Sequence, residues 1–313
     1  MEYFSAVLDQ VLIFMMIMIV GFAVVKVGAI PESALPSISI IFAKIIIPAI
    51  LFFNTVNGAT REDMRDTLFL SGVVAIIYAV LISFMRLMPK ILKLKGDRAL
   101  LYSVMFTYGN VGFIGIPLLL ALFGQRAMVA VTMFAIVDQL TFWTYGYLQT
   151  FPAGNRLKFT PKTLLKLFNP PIIAVIVSVI LILVGVRVPE IINRAFFSVA
   201  NAGLALPFIY IGGMLATIKD LQLFKRFEIY VGILLKMLVV PLAIFVAMTA
   251  AGIERDIAIA TTILFGLPTI AMIPMLAGLH GSDEKYATAT ILVTTIASLF
   301  TLTFVTYVIT VVL

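Results

Sequence analysis

Apolar residues run along this chain in blocks of roughly 20, and each block is set off from the next by a short cluster of charged or turn-forming residues. The blocks cover residues 4–26, 35–56, 66–88, 99–123, 127–150, 170–186, 191–217, 227–251, 256–279 and 286–312. A helix crosses a bilayer core with about 20 mostly apolar residues, so the pattern predicts ten transmembrane segments and an all-α membrane protein. The fourth block departs from the rest. Within it, the stretch Tyr108-Gly-Asn-Val-Gly-Phe-Ile-Gly-Ile-Pro117 holds Gly109, Gly112, Gly115 and Pro117. Each interior glycine weakens a helix by about 1 kcal/mol and an interior proline by about 3 kcal/mol, so a break is predicted here. Irregular backbone at membrane depth is tolerated only where protein buries it or where it lines a cavity, which makes this break a candidate binding site. Asn110 furnishes it with a neutral donor and acceptor.

The pattern then occurs a second time. A displacement of about 157 residues brings the two halves into register, and the match is clearest at the helix breakers. Val27-Gly28 with Pro31-Glu32 answers Val184-Gly185 with Pro189-Glu190, Pro48 answers Pro207, and Asp97-Arg98 answers Glu254-Arg255. Gly109, Pro117, Leu119, Leu122 and Gly124 answer Gly266, Pro274, Leu276, Leu279 and Gly281. Five segments per half put the second copy into the membrane from the opposite side, an inverted repeat. The expected organisation is a first five-helix repeat over 1–150, a cytoplasmic linker over 151–168 and a second, inverted repeat over 169–313. At about 1.5 Å per residue, Asn110 lies about 18 Å beyond Arg98, and Pro268 lies at a similar depth beyond Arg255 from the other face. Paired breaks near the midplane of two inverted halves mark the substrate site of a secondary transporter.

Composition fixes the solvent. Apolar residues make up 62% of the chain and charged residues 12%, with a mean hydropathy of +1.16, far from the balance of a soluble protein. The net charge of +7 reflects topology, not nucleic-acid binding. Fourteen basic residues fall in loops after odd-numbered segments, from Lys26 to Lys285, against six on the other side: Arg61, Arg65, Arg126, Arg187, Arg194 and Arg255. By the positive-inside rule both termini face outward, in a plasma (inner) membrane, and the 151–168 linker faces the cytoplasm. The N-terminus lacks the basic region of a secretory signal, so the first segment is expected to be retained.

Absent motifs exclude whole classes. There is no cysteine, one histidine, no His-Glu-x-x-His zinc motif and no phosphate-binding Gly-x-x-x-x-Gly-Lys-Ser/Thr loop, so metalloenzyme, thiol and ATP-driven chemistry are not expected and no cofactor is called for. The breaks favour an anion. Pro117 and Pro274 are placed to open second half-helices, whose free amides and partial positive charge suit a carboxylate. Asn110 and Thr269 could donate to it, although Thr269 could equally bond back within its own helix. Two charges lie deep, Asp138 in segment five and Lys236 in segment eight; they either couple transport to protons or sodium or neutralise each other as a structural pair. Lys44 is expected to snorkel to the interface. His280 is read as an interfacial residue at the outer end of segment nine, and Asn57 as a cap or packing group. Asn54 and Asn201 line a path or satisfy backbone, and Gln139 shares a helical face with Trp143.

The stretch Asn110-Val-Gly-Phe-Ile-Gly-Ile-Pro-Leu-Leu119, with Asn169-Pro170, Asn201-Ala-Gly-Leu204, Gly266-Leu-Pro268, Pro274, and Asp138-Gln139 with Trp143, resembles the auxin efflux carrier family. This family joins the plant PIN-formed carriers and bacterial permeases for malate, malonate and related acids. The resemblance covers nearly the whole chain, and the short linker is similar to that of the bacterial members. It implies a ten-helix fold of the sodium/proton antiporter type, with broken helices four and nine crossing against a scaffold of helices one, two, six and seven. It also implies that Asn110 and Gln139 lie at the substrate site, that Pro117 and Pro268 shape the crossover, and that the protein forms a homodimer. Leu51 stands where the plant carriers have serine, which argues for a small carboxylate over auxin. The expected activity is secondary transport of a small organic anion across the bilayer; a sodium-coupled symporter of the bile-acid type is the alternative, and an intramembrane enzyme a remote one.

Overall fold

In a bilayer, backbone N–H and C=O groups must be satisfied within the chain, and an apolar chain without strand periodicity does this as helices. The computed structural model describes residues 2–58, 68–115, 118–119, 128–155, 170–203, 205–219 and 221–309. Among these every regular element is helical, and the one β-type pairing is an isolated bridge. The elements are α1 (Glu2–Lys26), α2 (Leu35–Ile41), α3 (Ile47–Gly58), α4 (Leu68–Ile91), α5 (Gly96–Met105), α6 (Met128–Thr141), α7 (Pro170–Val184), α8 (Glu190–Ala202), α9 (Leu206–Thr217), α10 (Phe227–Leu234), α11 (Val240–Ala250), α12 (Arg255–Gly266), α13 (Met272–His280) and α14 (Glu284–Tyr307). One-turn π-helices join α2 to α3 and α10 to α11, and others follow the break after α5 and the end of α6.

Five described helices are long and apolar enough to cross a membrane: Glu32–Asn57, Phe69–Ile91, Glu190–Thr217, Phe227–Ala250 and Glu284–Tyr307. Large apolar side chains stay exposed along them, among them Phe69, Ile76, Val80, Phe300 and Phe304. In water such a surface would drive aggregation; in hydrocarbon it is the solvated face.

The helices sort into two bodies. In the first, α1 packs along α9, and α3 packs on α7 and α8. Backbone meets backbone here: a Cβ on Gly21 would fall 2.2 Å from the Ile209 carbonyl oxygen, and one on Gly212 would fall 1.9 Å from that of Met18. Phe14 stacks on Phe208 with ring centroids 3.9 Å apart. In the second body α4 packs on α5 and α6, α11 on α12, and α14 against α5, α10 and α12. The two bodies meet where α14 touches α1 and α9 and where α6 touches α3 and α7. On that seam the Tyr210 hydroxyl donates to the Glu284 carboxylate, beside a cavity of about 480 Å³ bordered by Glu32, Lys219, Gly278 and Lys285.

Connections between helices gather by charge. Arg98 reaches Asp283 at 3.3 Å, the Ala153 N–H donates to Asp97 at 2.7 Å, and Lys93, Lys95, Arg98 and Arg226 border a recess of about 700 Å³ on the same side. At the other ends of the helices Asn57 and Asn193 exchange side-chain hydrogen bonds of 2.8 Å, joining α3 to α8.

Candidate functional site

Segment four is helical only as far as Met105; Phe106 caps α5, and after a turn the chain passes through Gly109 and Asn110 without helix. It turns into a single π-turn over Val111–Gly115, where the N–H groups of Ile114 and Gly115 both donate to the Asn110 carbonyl at 3.0 and 3.1 Å. Segment nine is helical to Gly266, is interrupted at Leu267-Pro268-Thr269, and resumes at Met272. Pro274 sits in the first turn of α13, where its missing N–H has no helical acceptor to lose. The two interruptions meet: Gly109 and Thr269 form the antiparallel bridge, and the Asn110 N–H donates to the Pro268 carbonyl at 2.8 Å. Each chain therefore satisfies backbone groups that the other's breakers set free, as membrane depth demands.

Glycine is required where the chains touch. A Cβ on Gly109 would lie 2.9 Å from Leu267 Cβ and 3.1 Å from the Leu264 carbonyl oxygen, and one on Gly115 would lie 2.7 Å from Leu267 Cδ1. Gly112 differs, being exposed with open space around it.

The carbonyl ends of the two first half-helices are closed by side chains. Thr269 donates its hydroxyl to Met105 O at 2.9 Å, so it braces the crossing and does not bond back within its own segment. Lys236, from the π-turn between α10 and α11, donates its ammonium to the Leu267 carbonyl that ends α12, and it is 1% exposed. Asn110 is also 1% exposed, yet among the described residues its side-chain oxygen and nitrogen both lack a hydrogen-bond partner. A buried polar group left in that condition costs about 1–3 kcal/mol.

Behind the crossing lies Asp138, fully buried in α6. The Tyr78 hydroxyl donates to its Oδ1 at 2.5 Å, the Gln139 amide to its Oδ2 at 3.2 Å, and Trp143 Nε1 to Gln139 Oε1 at 3.0 Å. Asp138 and Lys236 do not form the direct ion pair anticipated as one fate for them; their charges act on each other through space, and their hydrogen bonds go elsewhere. Tyr78 escaped the sequence reading because nothing in its own segment marks it. Its ring packs on Tyr108 and Phe265, at 5.6 and 4.9 Å between centroids, so this one side chain touches both broken segments and the buried carboxylate.

The sequence profile of the family described as membrane transport protein matches residues 6–306. The chain belongs to this family. A protein of Rhizobium meliloti (strain 1021), whose name proposes it as a malonate transporter, is 23% identical over 307 residues, covering 96% of this chain and 94% of its own. An uncharacterised transporter of Methanocaldococcus jannaschii is 24% identical over 306 residues, 93% and 95% of the two chains. This family member is accordingly a membrane transporter and not an enzyme.

The remaining candidate residues of the transporter fall as follows. Pro117 lies outside the described residues, while Leu118 and Leu119 just beyond it are buried. Asn169 and the side chain of Asn54 also lie outside the description, and Asn201 is exposed near the end of α8. Lys44 is exposed, as a snorkelling lysine would be. His280 stacks on Phe151 at 3.7 Å and contacts Thr150 at 2.8 Å.

Proposed function

We propose that this transporter carries a small organic anion such as malate, malonate or another weak carboxylic acid, by alternating access at a midplane site where segments four and nine cross. The observation that carries the reading is Asn110: a buried amide with both polar atoms unpartnered among the described residues, held beside a backbone crossing and near a buried cation. Its N–H₂ group is a donor for a carboxylate oxygen and its carbonyl an acceptor for a hydroxyl or protonated acid. Gly109, Gly112, Pro268 and Pro274 shape the backbone around it, Pro117 is assigned to the same site from sequence alone, and Gln139 extends the site toward Asp138. The name of the Rhizobium relative points to the same class of substrate.

The fold on which this rests is a ten-span inverted repeat, residues 1–150 and 169–313 joined by the 151–168 linker. Helix pairings support it by recurring between the halves: α1 with α9 answers α7 with α3, α4 with α5 answers α11 with α12, and α6 with α12 answers α14 with α5. Gly28 and Gly185, one repeat apart, both adopt left-handed backbone, with φ of 78° and 77°. The body built from segments one, two, six and seven then serves as scaffold, and the other moves against it around a fixed site. The excess of basic residues in loops after odd-numbered segments supports the cytoplasmic assignment of the linker side and outward-facing termini in the plasma membrane. Export of an anion runs with an inside-negative potential, about 2.3 kcal/mol per charge per 100 mV. Import requires coupling, and Asp138 with its Tyr78 donor is the group we assign to it. A homodimer is the expected assembly.

A thermal-shift and binding screen of malate, malonate, other carboxylates and auxin-like acids on purified protein, with and without sodium, tests the reading. One of the small carboxylates should stabilise the protein, and Asn110→Ala should abolish that response. If Asn110→Ala binds and transports the identified ligand like wild type, the site assignment fails. Uptake into proteoliposomes that depends on sodium would favour the bile-acid type of symport.

A further inference from the structure

We propose that the basic recess bordered by Lys93, Lys95, Arg98 and Arg226 is a binding site for the phosphate of an anionic phospholipid, held at the ends of three membrane helices. The site lies apart from the crossing of segments four and nine, and it stands whatever the transported substrate is.

Three connections build the recess of about 700 Å³: the turn from α4 to α5, the entry to α10 and the turn from α13 to α14. Membrane-spanning stretches reach their limits beside it at Ile91, Phe227 and Glu284, which sets it at the depth where hydrocarbon gives way to headgroups. Four basic residues border it against three acidic ones, Asp97, Glu228 and Asp283, and the acids are largely engaged elsewhere. Asp97 accepts from the Ala153 N–H at 2.7 Å; Asp283 accepts from Arg98 and, at 3.1 Å, from the Tyr286 N–H as the cap of α14. Glu228 stands in the first turn of α10, where a carboxylate suits the helix dipole. Among the described residues Arg98 is the one base in an ion pair, so Lys93, Lys95 and Arg226 keep their charge for a ligand. Two polar atoms of the lining residues, Arg226 Nε and Ser282 Oγ, are covered and have no hydrogen-bond partner. Turning them toward an anion breaks no bond, and guanidinium and phosphate form strong charge-assisted pairs.

Lys93 carries a second sign of a ligand. The N–H of Lys93 donates to the Lys90 carbonyl and that of Leu94 to the Pro89 carbonyl, closing α4 in a turn that needs left-handed backbone at Lys93. Its φ is 56°, and it is the one described residue other than glycine with a positive φ. The corresponding end of α11 has the same bond pattern with Gly252 at the turn, φ 75°. A lysine stands where its counterpart is the residue the backbone prefers, and its side chain borders the recess. The flanks favour a lipid over a soluble phosphate. Phe227, next to Arg226, is 72% exposed, and Ile91, two residues before Lys93, is 59% exposed, so apolar surface for acyl chains adjoins the basic groups.

The test titrates protein stripped of lipid in detergent with phosphatidylglycerol or phosphatidylcholine in mixed micelles and reads the melting temperature. Phosphatidylglycerol should raise it and phosphatidylcholine should not; inorganic phosphate and glycerol phosphate at equal ionic strength should have no effect. Lys93→Gly relieves the left-handed turn, so without lipid it should melt no lower than wild type. It should nevertheless need about fivefold more phosphatidylglycerol for half-maximal stabilisation, the effect of one basic residue beside an anionic headgroup. Arg226→Gln should show a loss at least as large. Lys44→Gln, which removes an exposed lysine outside the recess, should titrate like wild type. Equal stabilisation by the two lipids overturns the proposal, as does an equal loss in Lys44→Gln, which would mean charge without a site. Stabilisation by inorganic phosphate alone overturns the lipid as occupant. If Arg226→Gln does not fold, Lys93→Gly decides, and its titrating like wild type rejects the site.

Discussion

Segments four and nine break at counterpart positions and meet at one bridge, yet they are finished differently. Segment nine resumes as a regular helix, α13, two residues before Pro274, and its carbonyl end is held by a buried ammonium. Segment four leaves its break through a π-turn and ends α5 on a neutral hydroxyl. The glycines differ too. Gly109 is clamped between Leu267 and the Leu264 carbonyl, whereas a Cβ on its counterpart Gly266 would meet Pro241 and Leu302 at ordinary distances of 3.5 to 3.7 Å. Two copies of one motif have thus divided the work: one supplies close approach and the free amide of Asn110, the other a charged anchor.

The sharpest way to break this comparison is to exchange the glycines. Gly109→Val should cost about 3 kcal/mol or more through overpacking against backbone that cannot move aside, and thermal denaturation in detergent should find little folded protein. Gly266→Ala should stay within about 0.5 kcal/mol of wild type in the same measurement, because nothing near it need shift. Equal damage at both positions would mean that the asymmetry is not real.

Next in size is the carboxylate behind the crossing. Tyr78→Phe removes the donor to Asp138 and should lower stability by about 1.5–3 kcal/mol, the range for a hydrogen bond to a charged group. Asp138→Asn should abolish any dependence of transport on pH; unchanged coupling would remove Asp138 from the mechanism.

Smaller still is the effect at the neutral end. Thr269→Val keeps the shape but withdraws the hydroxyl from Met105, for a loss of about 1–2 kcal/mol, with ligand affinity little changed. A large loss of affinity would return Thr269 to the role of substrate donor.

These contrasts mark how far the sequence could be read. Breakers are local, so Gly109, Pro268 and Pro274 announced the interruptions, and the constant displacement between halves announced that they belong together. Depth is also local, and it singled out Asp138 and Lys236 as charges without water. What they bond to is not local. Tyr78 lies 60 residues from Asp138, Lys236 lies 31 from Leu267, and Thr269 lies 164 from Met105. Each partner is an ordinary helix residue until the fold brings it across, and for Thr269 both alternatives weighed from sequence missed a partner on the other broken segment. Length misleads in the same region, since a helix interrupted midway fails a span criterion that an unbroken one meets. Segments four and nine are accordingly absent from the five long apolar helices among the described residues, which answer to blocks two, three, seven, eight and ten.

The contact between Tyr210 and Glu284 has a consequence for how motion would be watched. It ties α9 to α14 across the seam between the two bodies, where the proposed mechanism has one move on the other, and Gly278 lies so close that an added methyl would touch both partners, at 2.8 and 2.6 Å. Whatever stroke the protein makes, this latch either opens or travels. Because the chain has no cysteine of its own, a pair of thiol-attached probes flanking the latch would report that stroke against a silent background.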